Sequence, residues 1–152
     1  MDRAEVPEFH VETIGPTGDC VVLRVVGEVD VFTAPLLRER IADMTGKGAV
    51  HIIADLDRVD FLDSTGLGVL VGGLKRTREQ GGSLTPVISS ARILHSLRIT
   101  GLTSLLPPQP SVTAAVYADP HWQETLNREA GSAEEWCLRY TAQAHPPNES
   151  PN

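Results

Sequence analysis

The sequence predicts an α/β fold, and three observations carry that reading. Short β-branched runs alternate with segments of helical period in the order β-β-α-β-α-β-α-β-α. Val50-His51-Ile52-Ile53-Ala54 is the most apolar strand, of the kind buried on both faces of a parallel sheet. Residues 55–74 then run out of that strand, through a short acidic turn, and into a helix that starts near Ser64.

Taken in order, residues 9–14 alternate apolar and polar as a half-buried strand does, and Cys20 to Val26 returns as a β-branched strand. Gly15-Pro16-Thr17-Gly18-Asp19 between them reads as a turn, making an antiparallel hairpin. Gly27-Glu28-Val29-Asp30 ends the second strand. Thr33 can cap a helix from Ala34 to about Lys47 that buries Ala34, Leu37, Ile41 and Met44. After the strand Val50–Leu56, Leu67, Leu70, Val71 and Leu74 give the next helix its buried stripe, and Gly81-Gly82 closes it. Ser83 to Ser89 is a further strand. Ser90 caps a helix carrying Ile93, Leu94 and Leu97, Ser104-Leu105-Leu106 reads as an edge strand, and residues 111–118 as another helix. Beyond them, Asp119-Pro120 opens a helix with Trp122, Leu126 and Ala130 apolar, and Ser132-Ala133-Glu134-Glu135 has the form of a capping box. From His145 the composition is that of a disordered tail.

The 152 residues are most simply one domain with a sizeable core. Two cysteines without CxxC spacing suit a reducing compartment and offer neither a disulfide framework nor a zinc site. No signal peptide or membrane span is visible, so a cytoplasmic location is expected. The net charge of −7 divides unevenly, with −7 on residues 1–63, +4 on 64–100 and −4 on 101–152. The cationic stretch is either a solvated helix face or a surface that steers an acidic partner. An acidic chain with 5% aromatic residues is a poor nucleic-acid binder.

The candidate site is the joint Asp63-Ser64-Thr65-Gly66. Ser64 there is either a simple helix cap or a small hydroxyl displayed at the positive end of a helix dipole. If the strands ending at Asp30 and at residues 60–63 are neighbours, about 4.8 Å apart, then Asp30 and Ser64 approach one another. Gly68 and Gly72, at i+4 and i+8 from Ser64, form a side-chain-free strip that serves either a partner or packing on the chain's own sheet.

Gly27-Glu28-Val29-Asp30, the strand Val50–Leu56, the run Asp63-Ser64-Thr65-Gly66-Leu67-Gly68-Val69-Leu70 and Gly81-Gly82-Ser83-Leu84 together resemble a STAS domain of the bacterial anti-sigma factor antagonist type. The resemblance spans Phe9 to Ala118. It implies a mixed β-sheet with helices mostly on one face, residues 1–118 being the STAS domain, 119–144 a helical extension and 145–152 the tail. It also implies an anti-sigma factor with serine protein kinase activity as partner, a monomer or weak dimer, and no catalysis or cofactor. Ser64 would be the phosphorylated residue, restored by a metal-dependent phosphatase. Asp30, Asp63, Thr65, Gly66, Gly68 and Gly72 would form the switch surface. The proline-rich stretch 107–110 and the extension 119–144 depart from the family pattern.

Two other functional classes compete with this one. A serine hydrolase needs a base and an oxyanion hole, but Leu62 stands where Gly-x-Ser-x-Gly has its first glycine, and no histidine is spaced to serve Ser64. His51, inside an apolar strand, reads as a core histidine. A ligand-sensing or scaffold STAS module is the remaining alternative, without a phosphate-cradling glycine loop to support it. The aromatic residues of the extension should bury against the uncovered sheet face, a dimer mate or a second partner.

Overall fold

The computed structural model describes residues 8–144, so the expected tail at 145–152 lies outside the described residues. Strand β1 (His10–Thr17) pairs antiparallel with β2 (Cys20–Val29). Strands β3 (His51–Leu62) and β4 (Ser83–Val87) then add in parallel, giving the mixed sheet β1-β2-β3-β4. The expected five-residue turn is only Gly18-Asp19. Gly15, at φ +104°, lets β1 continue through a register shift between Ile14 and Thr17.

The acidic segment after Leu56 is likewise strand and not turn. Arg58, Val59, Phe61 and Leu62 pair with Val26, Gly27, Glu28 and Val29. The segment alternates exposed Arg58 and Asp60 with buried Val59 and Leu62, and backbone pairing to β2 outweighs its charged composition. The expected edge strand at 104–106 is a turn in which Leu106 is buried. Gln109 alone reaches the sheet edge, donating from its N–H to Pro86 O at 2.9 Å and accepting from Ile88 N at 3.0 Å. Pro107, Pro108 and Pro110 have no N–H to extend that ladder.

Helices α1 (Ala34–Gly46), α2 (Ser64–Glu79) and α3 (Ala91–Ile99) cover one face of the sheet. Their stripes are buried as the periodicity predicts, with Ala34, Leu37, Ile41 and Met44 on α1 and Leu67, Leu70 and Leu74 on α2. Val71 is only partly covered, while Val69, outside the predicted stripe, is buried. Thr33 makes no cap hydrogen bond, because its hydroxyl is spent 2.7 Å from Glu28 O.

Helices α4 (Val112–Tyr117), α5 (Pro120–Glu129) and α6 (Ala133–Ala144) take the other face. Alternation along β2 and β3 serves both layers. Val21, Leu23, Ile52 and Ala54 pack toward the first three helices, and Cys20, Val22 and Ile53 toward the last three. Trp122, Leu126 and Tyr140 of the extension are buried in this second layer, so the aromatic residues do pack on their own chain's open sheet face. Asp119 and Ser132 cap α5 and α6, accepting from His121 N at 2.9 Å and Glu135 N at 3.0 Å.

A polar lock fastens α6 to the sheet. The Tyr140 hydroxyl donates to the carboxylate of Asp55, which is buried on β3, and Arg24 Nε donates to the same phenol oxygen at 3.3 Å. Burial first, and then the Asp55 charge, push the Tyr140 phenol above its ordinary range, so it remains a donor at neutral pH. Among the described residues no helix is long and apolar enough to cross a membrane.

Candidate functional site

The site is built where β2 and β3 end side by side. Val29 pairs with Leu62, and the Asp63 N–H donates to Val29 O at 3.3 Å, so Asp30 and the residues 63–64 leave neighbouring strand ends. This is the carboxyl edge of the parallel strands, where open α/β sheets gather function.

Asp63, not Ser64, is the cap of α2. Its backbone is extended and its Oδ1 accepts from Gly66 N at 3.1 Å. Ser64 is therefore the first helical residue, exposed, with its hydroxyl free of the capping role. Thr65 beside it is half-buried. Asp30 Oδ1 accepts from Thr33 N at 3.0 Å and Phe32 N at 2.9 Å. The Thr33 N–H above all, and then that of Phe32, holds the Asp30 carboxyl below the usual carboxylate range, so Asp30 is charged at neutral pH.

The glycines divide into two kinds. Gly66, expected on the partner surface, is buried: a Cβ there would lie 2.5 Å from Leu62 Cδ1 and 2.8 Å from Val29 Cγ1. Its bare backbone lets the first turn of α2 settle on the strand ends. Gly68 and Gly72 are exposed, with nothing within 4 Å of an added Cβ, so packing on the sheet does not explain them. They form one wall of a groove of about 270 Å³ between α1 and α2, with Ala42 and Val69 in the lining and Arg38 and Arg76 alongside. Arg76 is held in place by donating from Nε to Thr45 Oγ1 at 2.7 Å.

Gly66→Ala is accordingly expected to lower stability by about 1–3 kcal/mol through overpacking. Gly68→Ala should leave stability unchanged or raise it by up to about 1 kcal/mol through helix propensity. Urea unfolding of the two variants checks this, and equal midpoints would refute the division.

Periodicity did not reveal the apolar part of this surface. Phe32 is 84% exposed, and Val31 and Phe61 are exposed with it, on the β2–α1 connection and the end of β3, while Leu36, also exposed, lines a separate groove between α1 and the start of β1. The available signal was Val31-Phe32, an apolar pair set in a connection between Asp30 and the helix start. His51 is at the opposite end of β3 from Ser64, half-buried and bonded through Nδ1 to Ser83 Oγ at 3.0 Å. It is no base for Ser64.

The profile of the STAS domain family matches residues 11–115. The anti-sigma-B factor antagonist of Bacillus subtilis (strain 168) is 41% identical over 86 residues, 57% of this chain and 78% of that protein. The anti-sigma-B factor antagonist of Staphylococcus epidermidis is 37% identical over 98 residues, 64% of this chain and 90% of its own. Among solved structures, an anti-sigma factor antagonist from Mycobacterium paratuberculosis superposes with a TM-score of 0.66 at 26% identity, covering 73% of this chain and 93% of that one. The chain belongs to the STAS domain family, in its anti-sigma factor antagonist branch.

Proposed function

We propose that this protein is an anti-sigma factor antagonist switched by phosphorylation of Ser64. With Ser64 unmodified, the surface formed by Asp30, Asp63, Thr65, Gly68 and Gly72 captures an anti-sigma factor that is also a serine protein kinase, which frees the sigma factor in the cytoplasm. Transfer of phosphate to Ser64 releases the partner, and a metal-dependent serine phosphatase restores the first state. The chain is a substrate in this cycle and needs no catalytic group of its own. Gly66, buried against Leu62 and Val29, supports this surface from beneath.

The observation that carries the reading is the position of Ser64. Its hydroxyl is exposed at the first residue of α2, Asp63 has taken over the capping, and a side-chain-free helix wall follows it. A phosphate there meets the free N–H groups and positive end of the helix, so the fold tolerates the modified state. Phe32 and its apolar neighbours offer the contact area that a protein partner buries and that a small ligand would not require.

Incubation with ATP and an anti-sigma kinase, followed by mass spectrometry, tests this directly. Phosphate is expected on Ser64 and not on Thr65, which is half-buried on the next helical position. Modification elsewhere with Ser64 untouched would sink the switch. A partner that binds with no modification at all would favour the scaffold alternative.

A further inference from the structure

At the end of the sheet away from Ser64, three elements bring together side chains that the switch does not use. Asp19 sits in the β1–β2 turn, His51 is the first residue of β3, and His121 lies in the first turn of α5. His121 Nε2 is 2.7 Å from Asp19 Oδ1, and His51 Nε2 is 3.9 Å from Asp19 Oδ2. The two imidazole rings are tilted by 31° with centroids 3.9 Å apart, and one ligand atom from each of the three residues falls within 4.8 Å of the others.

We propose that Asp19, His51 and His121 form a binding site for a divalent transition-metal ion of the zinc type, pinning the C-terminal extension to the β1–β2 turn. Two imidazoles and a carboxylate are a donor set that suits zinc, whereas magnesium and calcium take oxygen ligands throughout. A tetrahedral ion with bonds of about 2.0–2.1 Å sets its ligand atoms roughly 3.3–3.4 Å apart. The 2.7 Å separation is to Asp19 Oδ1 and the 3.9 Å separation to its Oδ2, and one ligand atom from each residue lies within 4.8 Å of the others, so rotation of the Asp19 carboxylate and the two rings has to close gaps of up to about 1.5 Å around an ion.

The ligands are also held from behind. His51 Nδ1 is engaged by Ser83 Oγ at 3.0 Å, which turns Nε2 toward the cluster, as outer-shell partners of metal-bound histidines do. The His51 N–H donates to Asp19 O at 3.0 Å, and the His121 N–H donates to the capping Asp119 Oδ1 at 2.9 Å. All three residues thus stand on fixed backbone. The His51 side chain is 14% exposed and those of Asp19 and His121 are 41% exposed, so an ion can enter and keep a water as its remaining ligand. The three are far apart in sequence, which is why no motif announced them and no metal was expected.

The test uses the full chain without a histidine tag, stripped with chelator and titrated with Zn2+ by calorimetry and thermal melting. One zinc per chain and a melting temperature raised by several degrees are expected. Asp19→Asn and His121→Gln should each weaken binding at least tenfold. Zinc should also shift the NMR ring signals of His51 and His121 and leave those of His10 and His95 in place, a readout independent of how well the variants fold. No heat and no thermal shift at millimolar zinc would overturn the proposal. So would unchanged zinc affinity in both variants, or ring shifts confined to other histidines.

Discussion

Under the proposed switch, Ser64→Asp is expected to weaken capture of the proposed anti-sigma kinase by about a hundredfold, while Ser64→Ala binds as the unmodified protein does. Each new charge would stand near the carboxylates of Asp30 and Asp63. At a separation of about 6 Å, one such pair costs roughly 0.7 kcal/mol in water and roughly 3 kcal/mol at an effective dielectric near 20. Docking a partner moves the site from the first condition toward the second, a difference of about 2 kcal/mol per carboxylate. One to two such penalties give an affinity loss of about thirtyfold to about a thousandfold. A phosphate carries about −1.5 to −2 charges and would do more. The same aspartate at the first position of α2 is favourable to the helix, so the variant should melt no lower than the parent. Calorimetric titration against the kinase measures the split. Equal affinities for the two variants, both folded, would falsify the electrostatic account.

Truncation after Ala118 should have the largest effect on stability. It removes Trp122, Leu126 and Tyr140, all buried in the second layer, and uncovers Cys20, Val22, Ile53 and Val87 on the sheet. Each large side chain withdrawn contributes about 1.5–3 kcal/mol. The sum rivals the roughly 5–15 kcal/mol that holds a typical domain folded. Tyr140 also leaves the Asp55 carboxylate without its phenol donor and Arg24 without its phenol acceptor. A fall of more than about 10 °C in melting temperature is expected, or failure to fold. Trp122→Ala in the full chain, expected to cost about 3–5 kcal/mol, covers the second case. Ser64 lies at the carboxyl edge of the strands, away from this layer's aromatic contacts, so the Trp122 variant should still be phosphorylated. A truncated protein that stays monomeric and melts like the parent would show that the extension is no structural cover.

Much of this protein was determined by sequence alone, because its signals are local. Periodicity located the stripe of α1 and, apart from Val71, that of α2, since a helix that buries one face must repeat its apolar residues near 3.6. Ser90, Asp119 and Ser132 were legible as caps because a cap is a side chain bonding its own next turn. The run Asp63 to Leu70 announced a strand-to-helix joint and, through its likeness to a family, the residue to watch.

Tertiary structure decided the rest, wherever a side chain or backbone group chose among distant partners. The charged segment 57–62 became strand because β2 lies beside it, not because of its composition. Capping of α2 passed to Asp63, and Thr33 turned its hydroxyl back to Glu28 O instead of capping α1. Gly66 and Gly68 look alike in sequence, and only the packing of Leu62 and Val29 beneath one of them separates a buried contact from an open wall. The Asp55–Tyr140 lock and the Asp19–His51–His121 cluster join residues that no spacing relates. Such contacts depend on how the two helical layers close over a shared sheet, and that closure is a property of the whole chain.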